Sequence, residues 1–258
     1  MIAINKADVC GISLRGFLNL SEQTLEVYFV PTPIVNDLDS TLGCLTAKKN
    51  LATGTYSLNG EIMAKAKPEE LSRSLRGQLA FSAEKGRIYR FGLLAKVLAI
   101  LNVTEIYRGQ VPDLAGEGFA YHSMSASAKL RGGKIIMEDC TIDGASMGIA
   151  CKGDIDLARQ EMDLTILVAP FKTVDRIVDI LPLIGRVLGG KLISIPFQAK
   201  GRLDDPDVYP LPPTAVGSGV LGILERTLKL PVAIIQPVIS GIKKGKPNQT
   251  DPDDDSPH

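Results

Sequence analysis

Residues 121–169 read YHSMSASAKLRGGKIIMEDCTIDGASMGIACKGDIDLARQEMDLTILVA, and this stretch decides the fold. Apolar and polar residues alternate with period two, the pattern of strands that keep one face dry and one wet. A strand over 121–130 sets Met124, Ala126, Ala128 and Leu130 on one side and ends at Gly132-Gly133. Strands over 134–143 and 148–157 follow, separated by a turn near 144–147, and a polar turn at Gln160-Glu161 leads into 163–169. With the central turn placed between Ala145 and Ser146, Ile142 faces Ile149, Cys140 faces Cys151 and Ile136 faces Ile155 on one side. Asp139 then faces Lys152 on the other. A slip of one residue would mismatch every pair, so the pattern specifies this register.

The same alternation extends upstream. Leu25, Val27 and Phe29 share a face of 24–30, and Tyr56, Leu58, Ile62 and Ala64 share a face of 55–66. A run over 75–83 puts Leu79 and Phe81 inward and ends in a turn at 84–86 before 87–91. Three segments have helical spacing instead. They are 91–103 (Leu94, Val97, Leu98, Leu101), 173–188 (Val174, Ile177, Val178, Leu181, Ile184, Leu188) and 215–230 (Val220, Leu221, Leu224, Leu228). Pro182 divides the second. From Gly241 the chain turns lysine-rich, then acidic over Asp251–Asp255, a composition that reads as a disordered tail.

The expected fold is therefore mainly β with helices (α+β): an antiparallel, meandering, twisted sheet or groove with a few amphipathic or hydrophobic helices. Its segments are a β region over 1–90, a hydrophobic helix and connection over 91–118, a meander with a helix over 119–213, a hydrophobic helix segment over 214–240, and the tail over 241–258.

Composition narrows the function. The 258 residues carry 29 basic and 29 acidic side chains and no tryptophan. That balance excludes the basic footprint and the stacking platforms of a nucleic-acid binder. The opening residues have no signal-peptide pattern, and no apolar run reaches the length of a membrane span. The chain reads as soluble or peripheral, and as one end of something longer.

Patterns that could carry chemistry are sparse. Gly217-Ser218-Gly219-Val220-Leu221-Gly222 matches GxGxxG, but it follows a proline-rich loop rather than a strand, so it reads as a helix start. Asp204, Asp205 and Asp207 have no EF-hand spacing and read as a solvated turn fixed by Pro206. His122 is outward on its strand with no nucleophile elbow nearby. The reading is a non-enzyme with no catalytic, cofactor or metal residues. Cys140 and Cys151, directly opposed, are the candidate disulfide; their other reading is two buried thiols. Cys10 and Cys44 are a further pair that could join, though the sequence gives no register for them. The apolar stripe Ile136, Ile142, Ile149, Ile155, Leu157, Leu164 and Ile166 fits either a closed core or a surface that holds acyl chains, which periodicity does not separate.

Several blocks resemble the AsmA-like C-terminal region, YhdP-type subgroup, of bacterial envelope proteins. They include Gly153-Asp-Ile-Asp-Leu157, residues 164–170, Leu181-Pro-Leu-Ile-Gly185, Gly189-Gly190, Ile195-Pro-Phe197 and Gly201-Arg-Leu-Asp-Asp-Pro206. Residues 7–12 and 101–105 are similar as well. The resemblance implies a twisted β-groove with an apolar inner face in the periplasm, associated with the inner membrane. It further implies phospholipid transport between inner and outer membranes, a part in outer-membrane integrity, and no catalytic residues. The stripe residues would be lipid-facing, and the helices at 173–188 and 215–230 would meet a membrane surface or an envelope protein partner. The other function consistent with these residues is an envelope scaffold that binds a protein partner through a sheet edge or its helices.

Overall fold

The computed structural model describes residues 1–89, 92–100, 118–145, 147–169, 192–228 and 232–234. Strands β1 (Ile2–Val9), β2 (Ile12–Ser21) and β3 (Thr24–Pro31) open the chain, and a short β4 (Asn36–Asp37) leads into helix α1 (Leu38–Thr46). β5 (Thr55–Ala66) and β6 (Arg76–Ile88) flank the single turn α2 (Leu71–Ser74), and α3 (Gly92–Ile100) follows. Next come β7 (Phe119–Arg131), β8 (Lys134–Gly144), β9 (Gly148–Asp156), β10 (Glu161–Ala169), β11 (Leu192–Arg202) and β12 (Asp207–Pro210). Helix α4 (Ser218–Leu228) precedes β13 (Val232–Ile234).

The strands form one open antiparallel sheet in the order β1-β2-β3-β5-β6-β7-β8-β9-β10-β11-β12. β4 pairs with β5, and β13 runs parallel to β11. The mainly-β meander expected from period-two alternation is what forms. β6 pairs with β7 from Arg76↔Arg131 to Ile88↔Phe119, so the upstream strands and the 119–169 meander share one sheet.

Pairing carries apolar side chains across the sheet in continuous rows on its inner face. One row runs Tyr56, Ala83, Met124, Ile142, Ile149, Val168, Ile195. The next runs Leu58, Phe81, Ala126, Cys140, Cys151, Ile166, Phe197. Cross-strand contacts of this kind are the unit of sheet stability.

Two expectations about local structure need correction. The register between β8 and β9 shifts between Met137 and Cys140. Ile142↔Ile149 and Cys140↔Cys151 pair as expected, whereas Ile155 meets Ile135 and Ile136 meets Asp154. The cause is a bulge: Glu138-Asp139 inserts an extra residue, which flips the facing of everything beyond it. Residues 84–86 do not turn. β6 runs through them in constant register with β7, Lys85 taking φ 52°.

The helices close the two faces at one end. Leu93, Leu94 and Val97 of α3 and Leu38 of α1 join the inner-face core. The expected helix over 91–103 is α3; Leu101 and the Leu98 side chain lie outside the described residues, as do 173–188 and the 241–258 tail. On the outer face α4 lies against β8, β9 and β10. Val220, Ile223 and Leu224 are buried there, and so are Thr141, Ala150, Leu167 and Ala169. Burial of both faces explains the unbroken apolar run at 166–169.

Helix α1 begins at an N-cap: the Asp37 side chain accepts from the Ser40 backbone N–H at 2.8 Å. Hydrogen bonds from Ser40 hold this carboxyl below the usual aspartate range. A depressed carboxyl pKa contributes stability that is present above the unfolded value, near 4, and lost as pH falls through the folded one. Asp37→Ala should therefore cost about 1 kcal/mol at pH 7. Its cost should shrink at pH 2–3, read as a difference in urea midpoint. An equal cost at both pH values would remove the capping account.

Candidate functional site

The inner face grades from closed to open. Near α1 and α3 it is packed solid, with Phe119, Met147 and Val168 at 0–1% exposure. Toward the other ends of the strands comes a row of Ile62, Gly77, Leu130, Ile135, Ile155, Met162 and Gly201. Ile62, Ile135, Ile155 and Met162 of this row are half-buried, as are Leu79 and Met137 one row inward. Backbone pairing satisfies the N–H and C=O groups between these side chains, so the surface they present is apolar.

Of the sequence-derived stripe, Ile142, Ile149, Ile155, Leu164 and Ile166 share this face. Ile149, Leu164 and Ile166 are 5–7% exposed and belong to the packed core; Ile142 and Ile155 pack at its margin. Two residues leave the face. Ile136 points to the other side because of the β8 bulge, and Leu157 sits in the turn after β9, its N–H donating to the Gly133 carbonyl. Met137, Ile135 and Met162 join the face beside Leu79 and Phe81, which the alternation of 75–83 already turned inward. Period-two parity carried across a bulge in β8, and counted back from Leu164 in β10, would have found Ile135, Met137 and Met162.

The helix candidates divide similarly. Val220 and Leu224 of α4 are buried against the chain's own sheet, and Leu221 is half-buried. The apolar stripe of α4 thus covers β8–β10 and does not face outward. The Leu228 side chain and Val174, Ile177, Val178, Leu181, Ile184 and Leu188 lie outside the described residues. Among the described residues no helix is long and apolar enough to cross a membrane.

Cys140 and Cys151 stand opposite each other in the middle of the inner face as free thiols, and the disulfide joins Cys10 to Cys44 instead. Directly opposed strand residues hold their Cβ atoms slightly farther apart, about 4.5–5.5 Å, than a disulfide prefers. The hydrogen bond to Cys140 and burial push the Cys151 thiol well above its usual range, which keeps it an inert, small apolar filler.

The remaining patterns have structural partners. Arg202 grips Asp204 with two hydrogen bonds at 2.9 and 2.7 Å, holding that carboxyl at about 2, and Lys96 pairs with Asp205. Gly217-Ser218-Gly219 leads into α4 as a helix start. His122 is exposed, at a register shift of β7 against β8. Among the described residues no group of three His, Cys, Asp or Glu side chains is placed to hold a metal ion.

A family model described as YhdP protein matches residues 27–208, more than two thirds of the chain. The "Intermembrane phospholipid transporter YhdP" of Escherichia coli (strain K12) is similar at 28% identity over 131 residues, covering 45% of this chain and 10% of that protein. The chain thus spans about a tenth of the length of the curated relative it matches. No solved structure matches.

Proposed function

Because the chain belongs to the YhdP family, we propose that its inner sheet face carries phospholipid acyl chains between the inner and outer membranes. The observation that supports this most is the half-buried apolar row at the open end, Ile135, Ile155 and Met162 with Met137 beside it. An acyl chain laid there gains about 0.8 kcal/mol for each methylene removed from water. It needs no acid, base or metal, so the work is passive shielding rather than catalysis. On this reading the protein acts in the periplasm in association with the inner membrane, and supports outer-membrane integrity. The packed end near α1 and α3 anchors the surface, and Ile149, Leu164 and Ile166 hold its shape.

The test is lipid loading. Native protein extracted for mass spectrometry should carry phospholipid and take up labelled lipid from vesicles. Ile155→Glu and Met162→Glu should cut loading at least tenfold, while the melting curve by circular dichroism stays cooperative. Lipid-free native protein with no uptake would overturn the proposal, as would undiminished loading of both variants.

One observation favours a scaffold as the second reading. Among the described residues the outer edge of β1 is unpaired, and Ile2 and Val9 on it are 66% and 47% exposed. Such an edge can accept a partner strand. A scaffold would bind its partner equally well with Met162→Glu and lose it on Lys6→Pro.

A further inference from the structure

We propose that one corner of the sheet, formed by the β1–β2 turn, the β3–β4 connection and the end of α1, docks on an anionic bilayer surface. Ten large apolar side chains are exposed among the described residues, and four of them lie at this corner. They are Val9 at 47%, Ile34 at 45%, Val35 at 69% and Leu45 at 54% exposure. Lys48 and Lys49 follow shortly after Leu45 and are exposed as well. This deepens the lipid reading above by naming the surface that meets a membrane. It rests on that reading for its setting, though not for the binding itself.

Covalent and backbone contacts bring the three segments together. The Cys10–Cys44 bond, with 5.4 Å between its Cα atoms, joins the chain neighbours of Val9 and Leu45. A Cβ on Gly11 would stand 3.4 Å from the Thr41 hydroxyl oxygen, so the turn lies against α1. The Thr32 N–H donates to the Ser13 carbonyl at 2.8 Å, and Ser13 pairs with Asp8. That places the β3–β4 connection beside the same turn. The residues after α1 are held too, because the Asn50 N–H donates to the Asp39 carboxylate at 3.1 Å. The apolar side chains thus stand on braced backbone, and docking them costs little conformational freedom.

Charge and composition select the occupant. The acids of the three segments are turned to backbone donors: Asp8 accepts the Gly11 N–H at 2.9 Å, Asp37 the Ser40 N–H at 2.8 Å, and Asp39 that of Asn50. Among the described residues Lys48 and Lys49 form no ion pair. Free ammonium groups beside aliphatic side chains fit a bilayer, whose acyl margin takes the apolar groups while lipid phosphates take the lysines. A protein partner fits less well. Protein interfaces favour aromatic residues and arginine and are depleted in lysine, whereas this corner presents valine, isoleucine, leucine and lysine.

The experiment co-sediments wild-type full chain, V35E/L45E, K48Q/K49Q and Met162→Glu with vesicles of phosphatidylglycerol or of phosphatidylcholine, and separately measures carried phospholipid by mass spectrometry. Wild type should bind phosphatidylglycerol vesicles at least tenfold better than phosphatidylcholine ones, a preference that 0.5 M salt removes. V35E/L45E should lose binding to both at least tenfold, keep the lipid it carries, and melt within a degree or two of wild type because both positions are exposed. K48Q/K49Q should lose only the preference for phosphatidylglycerol. Met162→Glu should bind vesicles as wild type does and lose its load, so the corner and the acyl-chain surface fail separately. Wild type that binds phosphatidylglycerol vesicles through Val35 and Leu45 but carries no lipid would remove the acyl-chain surface and support the corner. Equal vesicle binding by wild type and V35E/L45E would overturn the proposal, as would wild type that binds neither vesicle.

Discussion

Replacing Gly153 with alanine should lower the melting temperature by roughly 10 °C, a loss of about 3 kcal/mol or more. Gly153 lies in β9 opposite Leu164 of β10, on the inner face, with φ 147°. A Cβ there would sit 2.1 Å from the Asp163 carbonyl oxygen and 2.9 Å from the Leu164 Cα. Both obstacles are backbone, so relief requires the two strands to part. They carry Ile149, Cys151, Ile166 and Val168 into the core, so parting them opens its centre. An L side chain is strained at this φ even without the collision. The comparison is Gly217→Ala, where an added Cβ meets nothing within 4 Å, and which should melt within a degree or two of wild type. Calorimetry of the two variants decides it: equal melting temperatures would mean that the close approach of β9 and β10 is not needed for the fold.

The second large effect is at Cys10 and Cys44. They are 34 residues apart in sequence, and joining them ties the β1–β2 turn to helix α1. Closing a loop of that size in the unfolded chain stabilises the native state by about 4 kcal/mol in the chain-entropy account. Cys10→Ala/Cys44→Ala should lose that amount in a urea titration, and wild type with reductant should match the variant. Cys151→Ala, which removes only one sulfur from the core, should cost far less. Denatured, unreduced protein should titrate two thiols, Cys140 and Cys151. Four thiols would show that the Cys10–Cys44 bond does not form, and none would show that the inner-face pair oxidises as well.

Legibility in the sequence followed the range of the forces involved. Strand existence in β3, β5 and β7–β10 was readable because burial of one face imprints period two locally. Register was readable only near the turn that sets it, at Cys140↔Cys151 and Ile142↔Ile149, and was lost beyond Glu138-Asp139. Two acids between Met137 and Cys140, both apolar and three apart, are the trace a bulge leaves. The run Leu164-Thr-Ile-Leu-Val-Ala169 carried a further message, that both sides of β10 are covered, and so foretold a partner for α4. Helix α1 is short and its signal small: an aspartate cap followed by Leu38 and Leu42. The Cys10–Cys44 bond links a turn to a helix, so no alternation pattern could register it. The apolar face was thus visible early, whereas its split into a packed end and an open row depends on helices and strand ends that meet only in three dimensions.

Sheet order in this protein copies chain order, each strand lying beside the one before it apart from the short β4 and β13. Such a molecule has no intrinsic length. Eleven strands in sequence span about 48 Å at the usual strand spacing, and another hairpin at an edge would add about 10 Å without altering any existing contact. Stability then accumulates by accretion, as in stacked-repeat proteins, and not by closure around a single centre. Evolution can tailor the reach of such a sheet by duplication or deletion of hairpins, at a cost confined to the joint. Barrels lack that freedom, because inserting a strand changes shear, tilt and radius together.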